Sequence, residues 1–256
     1  MLNYIEDRYR NTLNLTDGLL HQPIQFKSIC PSVSDTIEKQ QMMNKEKRGL
    51  TIVACFNNDL KAYIKEQIID VLQSTNYHFF SYENNLHCTF LTLLDVGKSF
   101  SDPTLVYTIS KYVKKFFRKN KLLGRIYFTL NFDCIRPGTP KKLEHQNQSD
   151  GTVIIYGKYQ TNTDFVECAE SLAKDLKSHF SNIFPENYNR IAPTVWCTLG
   201  YFQKDFELRE ETEIMFNQWK NLNEFDLKIS TIQIKELKML KTPTKSLANS
   251  EHLLTI

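Results

Sequence analysis

The pattern of apolar and polar residues becomes regular from Gly49 onward. Residues 49–56 (GLTIVACF) are apolar and β-branched, as in a buried strand, and residues 57–59 then supply side chains that cap helices. The following residues repeat at the helical period and place one apolar face along Leu60, Ile64, Ile68, Val71 and Leu72. The pattern predicts a strand followed by a helix.

The next segments continue this alternation of element types. Residues 77–94 contain two apolar runs separated by polar residues, which is typical of a hairpin or of a strand entered through a turn. Pro103 opens a second helical pattern, and after Gly124 the period changes to two through residues 126–132. The first half therefore predicts the order strand, helix, strand, helix, strand.

The second half repeats this order after a polar, turn-rich joint at residues 137–151. It contains predicted strands at 152–159, 192–202 and 225–234, and predicted helices from Asp164 to Ile183 and at 205–222. Neither half can cover its own sheet alone. We therefore expect an α+β fold, a bilobal pseudo-twofold duplication in which two antiparallel sheets face a central cleft with helices outside.

This pattern also predicts the domain organisation. Residues 1–48 are polar and irregular, and we expect them to form an N-terminal appendage that packs on the main domain. Residues 49–242 form the predicted bilobal domain, with lobes at about 49–136 and 151–242. Residues 243–256 are predicted to be a C-terminal tail.

Composition narrows the class of protein. The 256 residues are 41% hydrophobic and 24% charged, which is sufficient for a folded core and argues against a disordered chain. The longest apolar run, Ile52–Phe56, is far shorter than the roughly 20 residues of a membrane-spanning helix. The first residues lack the pattern of a secretory signal, so we expect a cytoplasmic protein, with no membrane partner, that is a monomer.

The net charge of +3 does not by itself indicate a nucleic-acid protein. A basic run nevertheless follows the polar side of the second predicted helix, at Lys111, Lys114, Lys115, Arg118, Lys119, Lys121 and Arg125. Such a run is typical of a solvated helix face, and the alternative is a surface that follows RNA phosphates.

The six cysteines lie far apart, without C-x-x-C or zinc-finger spacing, and we expect them to be reduced and mostly buried. No histidine pair has metal-binding spacing, and no phosphate-loop, dinucleotide or serine-hydrolase motif is present. We therefore predict no metal and no organic cofactor.

Two strand segments carry matching residues. His87-Cys88-Thr89-Phe90 lies in the first half and Trp196-Cys197-Thr198-Leu199 in the second. Residues two apart in a strand face the same side, so His87 and Thr89 point together, as do Trp196 and Thr198, while the cysteines face the other side. An imidazole transfers protons near neutral pH and a threonine hydroxyl binds phosphoryl oxygens, which suits phosphodiester chemistry.

These segments resemble the two-histidine phosphoesterase superfamily, which includes RNA 2′,3′-cyclic phosphodiesterases and RNA-ligase-like proteins. The family carries one His-x-Thr/Ser-apolar motif in each half of a bilobal α+β fold, and the resemblance covers residues 49 to 241 by element order. It implies a catalytic role for His87, phosphate contacts from Thr89 and Thr198, and a nucleotide or RNA-end phosphodiester as substrate. The second motif has Trp196 where the family has histidine.

Trp196 cannot exchange a proton at physiological pH, although its ring is suited to stacking on a base. The resemblance therefore implies a phosphoesterase with an impaired site, unless Tyr201, Lys158 or Tyr156 protonates the leaving group; Trp196 and Tyr201 are then the predicted substrate-binding residues. Two alternatives remain open at this point. The cleft of a catalytically dead protein could bind a nucleotide or phosphate compound, or the protein could be a structural or partner-binding one whose cleft is filled.

Overall fold

A broad antiparallel sheet forms the centre of the protein, as the computed structural model shows. The structure describes residues 28–29, 49–75, 79–81, 85–94, 103–137, 148–149, 152–159, 164–184, 194–202, 206–207, 210–222, 229, 231–242 and 250–256. The predicted appendage therefore lies outside the described residues apart from 28–29, as does most of the predicted joint.

In the described part of the chain, the strands of this sheet have the bounds β2 Gly49–Cys55, β3 Phe79–Phe80, β4 His87–Leu94, β5 Phe128–Pro137, β7 Thr152–Tyr159, β8 Thr194–Phe202, β10 Thr231–Ile234, β11 Leu237–Thr242 and β12 Glu251–Thr255. Eight of them lie side by side in the spatial order β10-β5-β7-β8-β4-β2-β11-β12, and β3 pairs with β8. The short strands β1 Ser28–Ile29, β6 Gln148–Ser149 and β9 Phe206–Glu207 form a separate small sheet.

The helices have the bounds α1 Asn58–Ile64, α2 Asp70–Thr75, α3 Pro103–Lys119, α4 Asp164–His179 and α5 Glu210–Gln218. The side chain of Asn57 caps α1 by accepting a hydrogen bond from the backbone N–H of Leu60 at 2.8 Å. A π-helical turn, Lys65–Ile69, joins α1 to α2. The wider turn rotates the following residues, so Ile69 is buried while Val71, predicted on the apolar face, is 38% exposed.

The α+β class and the antiparallel pairing are confirmed. The two predicted sheets correspond to two groups of four strands, β8-β7-β5-β10 and β4-β2-β11-β12, which join into one sheet because β4 and β8 meet at the residue pair Cys88 and Cys197. Outward from this pair the order is β7, β5, β10 on one side and β2, β11, β12 on the other. This mirrored order corresponds to the predicted pseudo-twofold duplication.

The strand groups exchange members between the two halves of the chain. Strand β5 follows the elements of the first half but pairs with β7, and β11 follows those of the second half but pairs with β2. The predicted boundaries at 49–136 and 151–242 therefore separate two halves of the sequence, but each strand group contains strands from both halves. This exchange ties each half to the other through backbone hydrogen bonds.

The structure decides two local predictions. Of the two alternatives for residues 77–94, a hairpin or a strand entered through a turn, the hairpin is excluded, since β3 pairs with β8 and β4 pairs with β2. Residues 251–255, predicted in a C-terminal tail, form the edge strand β12, and Ile256 exchanges two backbone hydrogen bonds with Leu237. Burial of Ile256, which is 2% exposed, adds an apolar reason for this pairing.

The apolar face of α3 and the cysteines of the paired motifs belong to one buried core. Val106, Ile109, Val113, Phe116 and Phe117 of α3 are buried in it with Cys88 and Cys197. The ring of Phe117 lies 6.4 Å from that of Phe90 in β4. The other face of β4 and β8 is thus the one available for chemistry.

No helix in the described ranges has the length and apolar character needed to span a membrane.

Candidate functional site at the seam of β4 and β8

The candidate site lies where β4 and β8 meet. In the described residues these strands pair at Cys88 and Cys197, and an antiparallel register extended by one residue sets His87 beside Thr198 and Thr89 beside Trp196. Directly opposed residues point to the same face of a sheet, so these four side chains share one face. We call this set of four residues the seam.

Burial follows the same alternation. Both cysteines are fully buried, while His87, Trp196 and Thr198 are half-buried and Thr89 is exposed. Trp196 also packs against the core, so part of its ring contributes to stability, and the part that stays exposed lies on the face of the seam. The predicted division between a cysteine face and a His/Thr/Trp face is what the structure has.

His87 is held in one orientation by a local hydrogen bond. Its Nδ1 lies 2.5 Å from the carbonyl oxygen of Asn85, which can only accept, so Nδ1–H donates and Nε2 carries the lone pair of the neutral ring. Burial lowers the pKa of His87; the Asn85 bond raises it, and the charge of Lys61 lowers it. The balance favours a neutral imidazole, which is a proton acceptor.

A β-bulge follows the threonine in each motif. The register between β2 and β4 changes between Thr89 and Leu91, and that between β7 and β8 changes between Thr198 and Gly200. The extra residue is Phe90 in one strand and Leu199 in the other, the apolar residue that ends each motif. The two copies therefore share a backbone irregularity as well as residue types.

The second bulge determines where Tyr201 points. Tyr201 pairs with Thr152, and Thr198 pairs with Ile154 two residues along β7, so Tyr201 and Thr198 lie on the same face. Unbroken alternation would have put Tyr201 on the cysteine face. The structure thus brings Tyr201, which is half-buried, to the face of the seam.

The other two candidates for leaving-group protonation are less well placed or not described. Tyr156 pairs with Trp196 and lies on the same face, but its side chain is fully buried and does not reach solvent. Lys158 pairs with Thr194 at the end of β7, where only the backbone is described. Tyr201 is therefore the hydroxyl that borders the seam.

Sequence reasoning missed Lys61 in the last turn of α1. Its positive charge lowers the pKa values of His87, Cys55 and Cys197, which indicates that Lys61 lies near the seam. A cation there favours the binding of a phosphate. The spacing of Lys61 within an amphipathic helix carries no signal of this position, because its nearness to His87 depends on the tertiary fold and not on the sequence of α1.

Sequence reasoning also missed Arg136, a second basic side chain on the face of the seam. It pairs with Ile154, which pairs in turn with Thr198, so Arg136 lies on the face of the seam two strands away. The side chain is buried, and burial lowers its pKa. A buried arginine inside an apolar strand has no spacing signature of its own.

Cysteine chemistry at the site is suppressed by burial. Cys55, Cys88, Cys134, Cys168 and Cys197 are free thiols, which confirms the prediction for the described cysteines. Burial raises the pKa of Cys88 well above its usual value and that of Cys197 to about 12, so neither is a thiolate at neutral pH. Within the described ranges, no group of three or more histidine, cysteine or acidic residues is arranged to hold a metal ion.

The solved structures similar to this chain include one described as a phosphoesterase, at 12% identity and a TM-score of 0.40. E. coli LigT complexed with 3′-AMP aligns with 82% of this chain and 98% of its own at 16% identity, with a TM-score of 0.47. TT0787 of Thermus thermophilus aligns with 81% of this chain and 96% of its own at 12% identity, also with a TM-score of 0.47. Usb1 of Kluyveromyces marxianus aligns with 82% and 98% of the two chains at 9% identity and a TM-score of 0.40.

No protein-family model and no curated protein matches the sequence. We base the functional proposal on the residues of the site and not on these similarities.

Proposed function

We propose that this protein hydrolyses cyclic phosphodiesters of nucleotides or of RNA ends. One observation carries the proposal: an imidazole whose Nδ1 bonds the Asn85 carbonyl, which leaves the lone pair of the neutral ring on Nε2, shares one face of two adjacent strands with two threonine hydroxyls. A phosphate between Thr89 and Thr198 would accept a hydrogen bond from each hydroxyl. Lys61 adds positive charge nearby, which suits an anionic substrate.

In this proposal His87 Nε2 takes a proton from water as the water oxygen bonds to phosphorus. One ester bond of the cyclic phosphate breaks, and the departing oxygen needs a proton. Trp196 cannot supply it, and we assign this step to the hydroxyl of Tyr201; Tyr201 then regains a proton from solvent, and His87 releases the proton it took from water to solvent. The indole of Trp196 stacks on the base of the substrate.

The test is turnover by the purified protein of 2′,3′-cyclic mononucleotides and of short RNA ending in a 2′,3′-cyclic phosphate, with the monoester product measured by chromatography. His87→Ala should reduce the rate by about 10²- to 10⁴-fold, because the proton acceptor is lost. His252→Ala is the matched control, since His252 is exposed on the edge strand β12. Equal rates for wild type and His87→Ala would contradict the catalytic proposal.

A second function, binding without turnover, is favoured by one specific feature: the second motif has an indole where proton transfer would need an imidazole. Trp219 is the other tryptophan and is buried against Phe216, at 6.0 Å between ring centroids. A Trp219→Phe protein would therefore report ligand stacking through Trp196 fluorescence alone. Quenching by nucleotides without turnover would favour the binding function. If neither quenching nor turnover is observed, neither function is supported.

A further inference from the structure

Helix α3 and the turn that follows it present a basic surface that the proposed catalytic site does not use. Its residues are Lys111, Lys114, Lys115, Arg118, Lys119, Lys121 and Arg125, all exposed, and we call them the basic face. Within it Lys111, Lys114 and Arg118 follow Tyr107 at steps of four, three and four, which aligns them along one side of the helix. The opposite side of α3 is buried in the core.

The basic face has no balancing charge in its own segment. Residues 103–132 contain these seven cations and neither aspartate nor glutamate. Subtracting the 7 from 32 basic residues leaves 25 against 29 acidic ones, so the segment carries +7 and the rest of the chain −4. The net charge of +3 conceals this asymmetry.

The element packed beside α3 leaves the basic face open. Asp175 of α4 accepts a hydrogen bond from Tyr112 at 2.9 Å, on the flank between the two helices and away from the line of Lys111, Lys114 and Arg118. Among the described residues the salt bridges join other lysines: Lys65 with Asp70, Lys238 with Glu236, and Lys241 with Glu251. The basic face therefore keeps its charge for a partner.

Exposed aromatic rings stand at both ends of the basic face. Tyr107 is 59% exposed near the start of α3, with Lys111 Nζ lying 4.3 Å from its ring centre, and Tyr127 is 55% exposed beyond Arg125. Rings of this kind stack on unpaired bases, whereas duplexes offer no free base faces. Positive charge flanked by stacking rings combines the two kinds of contact that proteins make with single-stranded nucleic acids.

We propose that the basic face binds single-stranded RNA, with phosphates along Lys111, Lys114 and Arg118 and bases on Tyr107 and Tyr127. A membrane surface is less suitable, because the apolar side of α3 is already buried in the core. The surface lies on the cysteine side of the sheet, opposite the seam, so it goes beyond the proposed function and would hold RNA away from the reacting phosphate.

The test uses full-length protein carrying His87→Ala, so that binding is measured without turnover and does not depend on the catalytic proposal. Fluorescence anisotropy follows a labelled 12-nucleotide oligo-U between about 50 and 200 mM KCl, the range over which phosphate contacts lose affinity. Adding K114Q and R118Q to this protein should make the negative slope of log affinity against log salt shallower by about 1.4, because each single-strand phosphate contact contributes about 0.7 to its magnitude.

The matched control adds K220Q and K235Q, which remove the same charge from exposed positions outside the basic face. The control should keep the parental slope, and Tyr107→Ala should weaken binding without changing the slope. Binding without salt dependence, or equal slope losses in both double variants, would overturn the proposal. Tighter binding to polyglutamate or phosphatidylserine vesicles, or equal binding to duplex RNA with no effect of Tyr107→Ala, would overturn single-stranded RNA as the partner.

Discussion

The chemistry of His87 is decided by its immediate surroundings. The Asn85 carbonyl fixes the Nδ1–H tautomer, and burial together with Lys61 works against the charged ring. The same imidazole on an open strand would be protonated over much of the slightly acidic range. Its value as a base therefore depends on neighbours from α1 and from the turn before β4.

This balance predicts the pH dependence of turnover. The pKa of His87 lies below its usual value of 6.5, so the neutral base persists below that pH and activity is lost only as pH falls through the lowered pKa. Removing the charge in Lys61→Gln raises the pKa, so the acid limb of the kcat/KM profile should move to higher pH. A profile of this variant that moves to lower pH would contradict the assignment of His87 as the base.

Tyr201 gives a second test at this scale. Tyr201→Phe keeps the ring but removes the proton for the departing oxygen, so kcat should fall by about 10²-fold or more while KM changes little. Tyr63→Phe in α1 removes a hydroxyl elsewhere and is the control. If Tyr201→Phe keeps the wild-type kcat, another group protonates the leaving oxygen.

At the scale of elements, the β-bulges decide which face of the sheet the side chains beyond them occupy. A strand of strict alternation would turn Tyr201 toward the core, and the extra residue Leu199 reverses this. Strand β5 contains a further register shift against β7, between Phe132 and Cys134. Each register shift changes the face to which the following side chains point, while the strand pairing continues on either side of the shift.

Gly157 tests how closely β7 and β5 approach at that shift. A Cβ added to Gly157 would lie 2.0 Å from the backbone oxygen of Asn131 and 2.7 Å from Cα of Phe132, neither of which can move like a side chain. Gly157→Ala should lower the free energy of unfolding by about 3 kcal/mol, at the upper end for overpacking, as measured by urea denaturation.

Gly124→Ala is the contrasting variant. Its added Cβ meets nothing within 4 Å, and only the φ of +69° opposes it. Its cost should be about 1 kcal/mol, the cost of a left-handed backbone for a residue with a side chain. A Gly157→Ala protein as stable as Gly124→Ala would mean that β5 yields more readily than its backbone contacts indicate.

At the scale of the whole molecule, the exchange of β5 and β11 makes the halves interdependent. Each strand's backbone groups are paired in the other half's strand group, so a separated half exposes an open edge and loses apolar cover. Fragments 1–142 and 143–256 should each lack the cooperative thermal unfolding of the intact chain, and should regain it when refolded together. Independent cooperative unfolding of either fragment, followed by circular dichroism, would show that the halves are self-sufficient.

The accuracy of the sequence-based predictions differs between local and non-local features. The strand at 152–159 follows from a short apolar run, and the helix beginning at Pro103 follows from its start signal and its period, since these are local properties of the chain. Residues 77–94 were compatible with a hairpin or with a strand entered through a turn, and the hairpin is excluded, because local polarity marks a turn but does not select the partner of β3, which is β8. The predicted tail is wrong at residues 251–255 for the same reason, since β12 is short and gains its stability from β11.

The candidate site divides in the same way. Identity and alternation already place His87 with Thr89, and Trp196 with Thr198, because side chains two apart in a strand share a face. The meeting of the two pairs depends on the contact of Cys88 with Cys197, more than a hundred residues apart, and the positions of Tyr201 and Lys61 depend on a bulge and on helix packing. Local periodicity thus determined the elements and the faces of this protein, whereas pairing across the chain decided the site, because long-range registers leave no trace in a single stretch of sequence.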